Sequence, residues 1–436
     1  MQMTRFFFVA LGSLFALAAC SWQGLAPPGG QIVPGNSQHA LGNSKGYQLI
    51  YSFPGGAGGS DPLNSLTFVD GVAYGTTYAG GDVSGCNCGA VFAGTTIIYT
   101  FKGVASQDGN GPRGDLLLVG KKLYGITGSG GRNDGVCASN PAGAGCGTVF
   151  EIDTSGNEHV VYRFKGGKDG EAPVAGLVSL DGVLYGVTAW GGVSTTCTTD
   201  TPSGCGVVFA IDSSGHEKVI DRFKGGSDGA YPLKGLTVFK GTLYGTTGNG
   251  GGACPYGPGC GTVFRVAPSG RESVLYAFKG GSDGFTPEGR LIAVDGSLYG
   301  TTYLGGCAHK CPASNGFGTI FKLSLSGSET IVYRFRHWER GYKGTEPAAH
   351  NPAGDLVFLD NKLFGTTSTG GCFACEGTIY SATLGGTFKV LTKFGATSGN
   401  VQDPQGLALK PSTHALFGAA RGGGSSGNGG IFQYLL

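Results

Sequence analysis

Seven times along the chain a Leu-Tyr-Gly-type triplet opens a short β-prone run, and this repetition restricts the fold more than any other feature. The triplets are Ala73-Tyr74-Gly75, Leu123-Tyr124-Gly125, Leu184-Tyr185-Gly186, Leu243-Tyr244-Gly245, Leu298-Tyr299-Gly300, Leu363-Phe364-Gly365 and Leu416-Phe417-Gly418. In residues 243–264, LYGTTGNGGGACPYGPGCGTVF, two strand-like pieces flank a glycine-rich loop that carries two cysteines. Repeats of this kind share one continuous core, so 436 residues need not form two or three ordinary domains.

Residues 47–436 divided by seven give about 56 residues per unit, the size of a propeller blade. In the fourth unit, strands are expected at 235–239, 242–247, 261–266 and 273–278. Asp70-Gly71, Asp181-Gly182 and Asp295-Gly296 are hairpin turns between first and second strands. Each unit is therefore a four-stranded antiparallel meander. The repeat region opens at 47–53 on a sequence of fourth-strand type and closes at 430–434 on one of third-strand type. Pairing them removes two exposed edges. The expected fold is all-β: a seven-bladed β-propeller of four-stranded antiparallel blades, its ring closed by the N-terminal strand pairing into the last blade. The second-to-third and fourth-to-first loops are long and share one face, where function is expected.

Composition agrees. The 87 glycines and 19 prolines approach a disordered composition, but they punctuate regular apolar runs, and 40% of the chain is hydrophobic. After residue 20 almost no 3.6-residue apolar period appears, which excludes a helical protein. Charged residues make up 13% with a net of +2, and the linear sequence shows no basic stripe, so no nucleic-acid partner is expected.

Residues 1–20 form a targeting segment: Arg5, an apolar run over 6–17, then Leu17-Ala18-Ala19-Cys20. That ending resembles the lipobox of bacterial lipoproteins, in which the cysteine is lipidated and becomes the first mature residue. Cys20 is the expected lipidation site, the alternative being an ordinary secretory peptide cut after Ala19. Ser21 follows where an Asp would retain a lipoprotein at the inner membrane, so the expected location is the outer membrane or cell surface. Residues 21–46, rich in Gly, Pro, Ser, Asn and Gln, are read as a flexible tether, and 47–436 as the propeller.

The recurring order LYGTT…GG…CGTVF…G-x-E-x-V-L-Y-x-F-K-G-G-x-D-G-x-x-P resembles the GloVer (gloeo/verruco) tandem repeat of bacterial surface proteins, grouped as "choice-of-anchor". The resemblance covers about residues 47–436. It implies an anchored extracytoplasmic protein and brings no activity and no catalytic residues.

Cys20 accounts for the odd one among 13 cysteines. The other twelve fall two to a loop: Cys86/Cys88, Cys137/Cys146, Cys197/Cys205, Cys254/Cys260, Cys307/Cys311 and Cys372/Cys375. In a secreted chain these read as six local disulfides that fix loop shape. Only Cys372 and Cys375 have zinc-like spacing, and a second such pair would be needed, so no metal site is expected.

An acid stands at a similar point of each fourth-to-first loop: Asp61, Asp108, Asp169, Asp228, Asp283, Glu346 and Asp403. Calcium is the one candidate cofactor, at these carboxylates. The favoured reading is structural, with the carboxylate accepting from nearby backbone N–H groups. Residues 225–229, 280–284 and 423–427 match G-x-S-x-G, but no helix follows to make a nucleophile elbow. Arg113-Gly114-Asp115, an adhesion-type tripeptide, is set down to chance.

The longest departure from the repeat is 336–351, RHWERGYKGTEPAAHN. His337, Trp338, Arg340, Tyr342 and His350 there, with Trp190 at the mouth of another long loop, are the candidate ligand-binding residues, suited to a glycan or protein. The bland reading is a longer loop packing over its neighbours. The leading expectation is a monomeric, non-enzymatic binding or scaffold module using the disulfide-bearing face. The alternative is a glycosidase or lyase acting on extracellular polysaccharide, with carboxylates such as Glu339 and Glu346.

Overall fold

The computed structural model describes residues 46–436 except 82–84, 140–143, 195, 198–203, 256, 308–315, 337–348, 371–374, 396–399 and 411–412. The chain divides into Met1–Ser44, outside the described residues, and Lys45–Leu436, which holds all of them. Cys20 and the expected targeting segment and tether, residue 46 excepted, are therefore outside the described residues as well.

Blade 4 runs Thr237–Phe239, Thr242–Thr247, Thr262–Val266 and Glu272–Ala277, each strand antiparallel to the next. The first strand begins at Thr237 rather than 235, because the two residues before it belong to the segment lining the axis. The same order recurs in blades 1, 2, 3, 5 and 6, whose first strands open at Thr67, Gly109, Glu171, Phe285 and Ala349. In blade 3 that first strand is split into Glu171–Pro173 and Val178–Leu180. Blade 7 consists of Val401–Lys410, Ala415–Gly423, Gly430–Leu435 and, as its outer strand, the N-terminal Gly46–Ser52, with Tyr47 opposite Tyr434. Seven blades close into a ring, as the sequence predicts.

The signature residues have steric reasons. The glycine of Leu-Tyr-Gly lies under the aromatic ring of the third strand: a Cβ on Gly245 would stand 2.5 Å from Phe264 Cζ. The glycine before the third strand has φ +91° at Gly261, and a Cβ there would meet Pro287 Cδ of the next blade at 2.6 Å. Pattern and packing thus specify each other, inside a blade and between blades.

One aromatic contact recurs at every blade junction. The outer-strand Phe packs across the third-strand aromatic of the following blade: Phe101 with Phe150, Phe164 with Phe209, Phe223 with Phe264 and Phe278 with Phe321, at centroid separations of 5.0–5.2 Å. Phe335–Tyr380 and Phe394–Phe432 continue the series at 5.2 Å each. Phe53 of the N-terminal strand completes it against Phe92 of blade 1, also at 5.2 Å. Such pairs contribute about 0.5–1.5 kcal/mol beyond the area they bury.

The long loops share one face and bond to each other. Gly131 N donates to Asp108 O, Gly192 N to Gly167 O and Gly306 N to Gly281 O, at 2.7–2.8 Å. In each case a second-to-third loop is tied to the fourth-to-first loop leading into its own blade.

Candidate functional site at the axis and the long-loop face

The innermost part of six blades is a Pro-x-x-x-Leu segment, at 62–66, 112–116, 173–177, 232–236, 287–291 and 352–356. The third residue after each proline is Ser65, Asp115, Gly176, Gly235, Arg290 or Asp355. These six positions converge on the axis. Arg290 Nη2 of blade 5 donates to Asp115 Oδ2 of blade 2 at 3.0 Å, and its Nε lies 3.3 Å from Asp355 Oδ2 of blade 6. The glycines of blades 3 and 4 make room: a Cβ on Gly235 would stand 3.0 Å from Arg290 Nε, and one on Gly176 3.2 Å from Nη2.

Backbone donors hold the carboxylates in place. Ser65 N donates to Asp115 Oδ1 at 2.7 Å, and Arg290 N to Asp355 Oδ1 at 2.6 Å. Ser65 Oγ donates to Leu407 O of blade 7 at 3.2 Å, and Lys234 pairs with Glu288 at 2.6 Å beside the cluster. Burial pushes the Asp115 carboxyl up, Arg290 pulls it down, and the result lies above the ordinary carboxylate range. Each Asp115 oxygen accepts one of these bonds, Oδ1 from Ser65 N and Oδ2 from Arg290 Nη2. The axis is crossed by an ionic clasp. Sequence reasoning missed it because each member stands once in its own repeat; the usable signal was charge at a position that other repeats fill with Gly or Ser.

A second set of carboxyls lies between blades. The Asp of the K-G-G-x-D-G signature accepts from the amide of its own loop's lysine and from the tyrosine two residues before the buried Phe. Lys165 N and Tyr162 Oη donate to Asp169 at 2.7 and 2.8 Å, and Lys279 N and Tyr276 Oη do the same to Asp283. Lys102 N and Tyr99 Oη donate to Asp108 at 2.7 and 2.8 Å. In blade 3 Asp221 replaces the tyrosine, and Lys224 N donates to Asp228 at 2.8 Å. The next blade adds Glu158, Glu217, Glu272 or Glu329, each with a buried Oε1 lacking a hydrogen-bond partner among the described residues.

The acid in every loop therefore needs correcting. Asp61 and Asp403 do not share the position of Asp169; they stand immediately before Pro62 and Pro404, at φ 55° and 53°, where blade 3 has Ala172. Gly58 and Asn400 take the place of the signature Asp, and Asn400 Oδ1 still accepts from Val401 N. Glu346 lies outside the described residues. No group of three or more His, Cys, Asp or Glu side chains among the described residues is placed to hold a metal ion.

Of the candidate ligand residues, His337, Trp338, Arg340 and Tyr342 lie outside the described residues, as does Glu339. Trp190 and His350 are opposite members of equivalent register pairs in blades 3 and 6: second-strand Trp190 pairs with first-strand Glu171, and first-strand His350 with second-strand Thr369. Blades 4 and 5 lie between them, so they do not form one site. His350 Nδ1 is 2.7 Å from Thr369 Oγ1, and its ring is 5.5 Å from Phe317. Four of the six expected bridges are present, Cys86–Cys88, Cys137–Cys146, Cys197–Cys205 and Cys254–Cys260. Cys307 is disulfide-bonded, while Cys311, Cys372 and the side chain of Cys375 lie outside the described residues. The sulfurs of Cys197 and Cys205 would each lie 3.1 Å from a Cβ on Gly225, so this bridge sits on the loop leading to the next blade.

The sequence pattern of the Gloeobacter/Verrucomicrobia repeat matches residues 39–257 and 135–351, together more than half of the chain. The chain belongs to that family. No curated protein matches this Gloeobacter/Verrucomicrobia repeat protein. Among solved structures it is similar to a gluconolactonase from Xanthomonas campestris, with 13% identity, TM-score 0.36, and 66% of this chain and 79% of that one covered. A putative 6-phosphogluconolactonase from Bacteroides uniformis gives 13% identity and TM-score 0.41, covering 69% and 76%. A Saccharomyces cerevisiae Dbp5–Nup159–Gle1 structure gives 9% identity and TM-score 0.43, covering 91% and 96%. At such values the activities named for those proteins say nothing about the chemistry of this repeat protein.

Proposed function

We propose that this repeat protein is an extracytoplasmic binding or scaffold module, anchored by a lipid on Cys20 at the outer membrane or cell surface, that takes a glycan or protein ligand on its long-loop face. The supporting observation is the state of the axis. Asp115 and Asp355 are both committed to Arg290, and Glu288 to Lys234, so these carboxyls form an internal lock rather than an acid–base pair facing a cleft. The long-loop face is instead a stiffened surface, with bridged cysteine loops tied to the loops beside them. The reading is tested with the full chain, disulfides formed, incubated with a panel of neutral and acidic polysaccharides and peptides. Retention on at least one ligand without new reducing ends is the expected result. Release of reducing ends would overturn the binding role in favour of a polysaccharide-degrading enzyme. Labelled palmitate should enter the wild-type chain and not Cys20→Ser; equal labelling would remove the anchor.

A further inference from the structure

Resting on that binding role, we propose that the rim of the long-loop face over blades 1–5 is a basic track for a linear, carboxylate-bearing polysaccharide. The carrying observation is a segregation of charge that the fold imposes on the repeat signature. Residues on either side of a buried outer-strand Phe point to the opposite side of the strand, toward solvent. Immediately after that Phe stand Lys102, Lys165, Lys224, Lys279 and Arg336, one in each of blades 1 to 5, all exposed. Immediately before it stand Arg163, Arg222 and Arg334. Blades 6 and 7 have Gly395 and Pro54 at the first of these positions, so the track covers an arc and not the whole ring.

The acids of the same signature are aimed at backbone amides and not at the lysine ammonium groups. Asp108, Asp169, Asp228 and Asp283 turn inward onto the backbone amides of Lys102, Lys165, Lys224 and Lys279. Burial first, and the neighbouring Asp second, push the Glu217 and Glu272 carboxyls up to about 8 and those of Glu158 and Glu329 up to about 7, which reduces their negative charge near neutrality. Among the described residues none of the four lysines, nor Arg163 or Arg222, has a carboxylate at ion-pair distance. The linear sequence shows no basic stripe because these cations stand 55–63 residues apart, and the fold gathers them on one rim.

The guanidiniums are also oriented. Arg163 Nε donates to Gln107 O at 2.7 Å and Arg222 Nε to Lys168 O at 3.2 Å, which fixes each side chain beside a groove. One groove, of about 760 Å³, is lined by Gln107, Arg132, Asp134, Tyr162 and Arg163. The other, of about 260 Å³, is lined by Lys168, Glu217, Lys218 and Arg222. A cation recurring blade after blade fits a polymer whose own charge recurs, and a guanidinium fork suits carboxylate. Single-stranded nucleic acid fits less well because, among the described residues, Tyr99 and Tyr162 beside the track are packed edge-on against Phe101 and Phe164, with Lys102 and Lys165 over their rings.

The test uses the full chain with disulfides formed and polygalacturonate as probe, beside the neutral galactose polymer. Arg163, Lys165, Arg222 and Lys224 are changed together to Ala; the control changes Lys121, Lys240, Lys362 and Lys389, exposed at the short-turn end. The track variant should bind polygalacturonate about tenfold or more weakly, four rim charges being lost, while the control binds as wild type. Equal losses in both variants would overturn the track, as would tighter capture of oligo-dT or of anionic vesicles than of polygalacturonate. Equal retention of the neutral polymer would overturn the track and leave the binding role standing. Retention of nothing on the whole panel would overturn both.

Discussion

Arg290 Nη2 reaches Asp115 Oδ2 at 3.0 Å across the axis, joining residues 175 positions apart in blades 5 and 2. With Asp355 on its other side, the guanidinium ties three blades, and Ser65 extends the network to blades 1 and 7.

Arg290→Ala leaves two partly buried carboxylates facing each other. Both are about a quarter exposed, so the loss should fall below the figure for a fully buried pair, at roughly 2–3 kcal/mol. Urea unfolding measures it. Adding Asp115→Asn to Arg290→Ala should restore part of the loss, since it removes one of the stranded charges; a fully additive double variant would mean that the clasp is not coupled.

Phe53→Ala removes the aromatic that joins the N-terminal strand to blade 1. A fully buried Phe truncated to Ala costs about 3–5 kcal/mol. Because this contact also closes the ring, limited proteolysis should cut between residues 46 and 60 in the variant well before it cuts wild type.

The inter-blade carboxyls set a pH dependence. Glu158 and Glu329 are pushed up to about 7, and Glu217 and Glu272 to about 8, by burial first and by neighbouring Asp groups second. Asp403 is pushed up to about 6, again by burial first. The folded chain therefore holds protons that the unfolded chain releases near pH 4–4.5. Stability from these groups is complete below that pH, falls as pH rises toward about 8, and is flat above. Tm should be higher at about pH 5 than at about pH 8.5. Changing the four glutamates to Gln should flatten that slope, and an unchanged slope would refute the assignment.

Gly245→Ala places a methyl group against the Phe264 ring, with 2.5 Å between Cβ and Cζ. The cost of overpacking should be about 1–3 kcal/mol by denaturant unfolding. Phe264→Leu in the same chain should recover part of it, because the clash is with the ring and not with the backbone.

The Cys254–Cys260 bridge closes a loop too short to constrain the unfolded chain strongly. Changing both to Ser should cost less than about 3 kcal/mol, the value for a loop of about 15 residues, and leave the far-UV circular dichroism intact. Loss of the β spectrum would show that the bridge holds the blade and not only its loop.

The sequence by itself determined the blade and the ring. Leu-Tyr-Gly, Asp-Gly turns and the outer-strand Phe recur because every blade meets the same neighbours, so local pattern and long-range packing coincide at Gly245, Phe264 and Phe223. The complementary ends, Tyr47 and Tyr434, likewise carried the closure, because an unpaired edge strand is costly wherever it lies. What only the tertiary structure decided is what comes together across the axis and around the rim. Asp115, Arg290 and Asp355 are isolated departures in separate repeats, and Coulomb attraction depends on distances in space that the sequence does not contain. Lys165 and Glu217 belong to one repeat signature, and it took the fold to send the cation outward and the acid into the junction between blades.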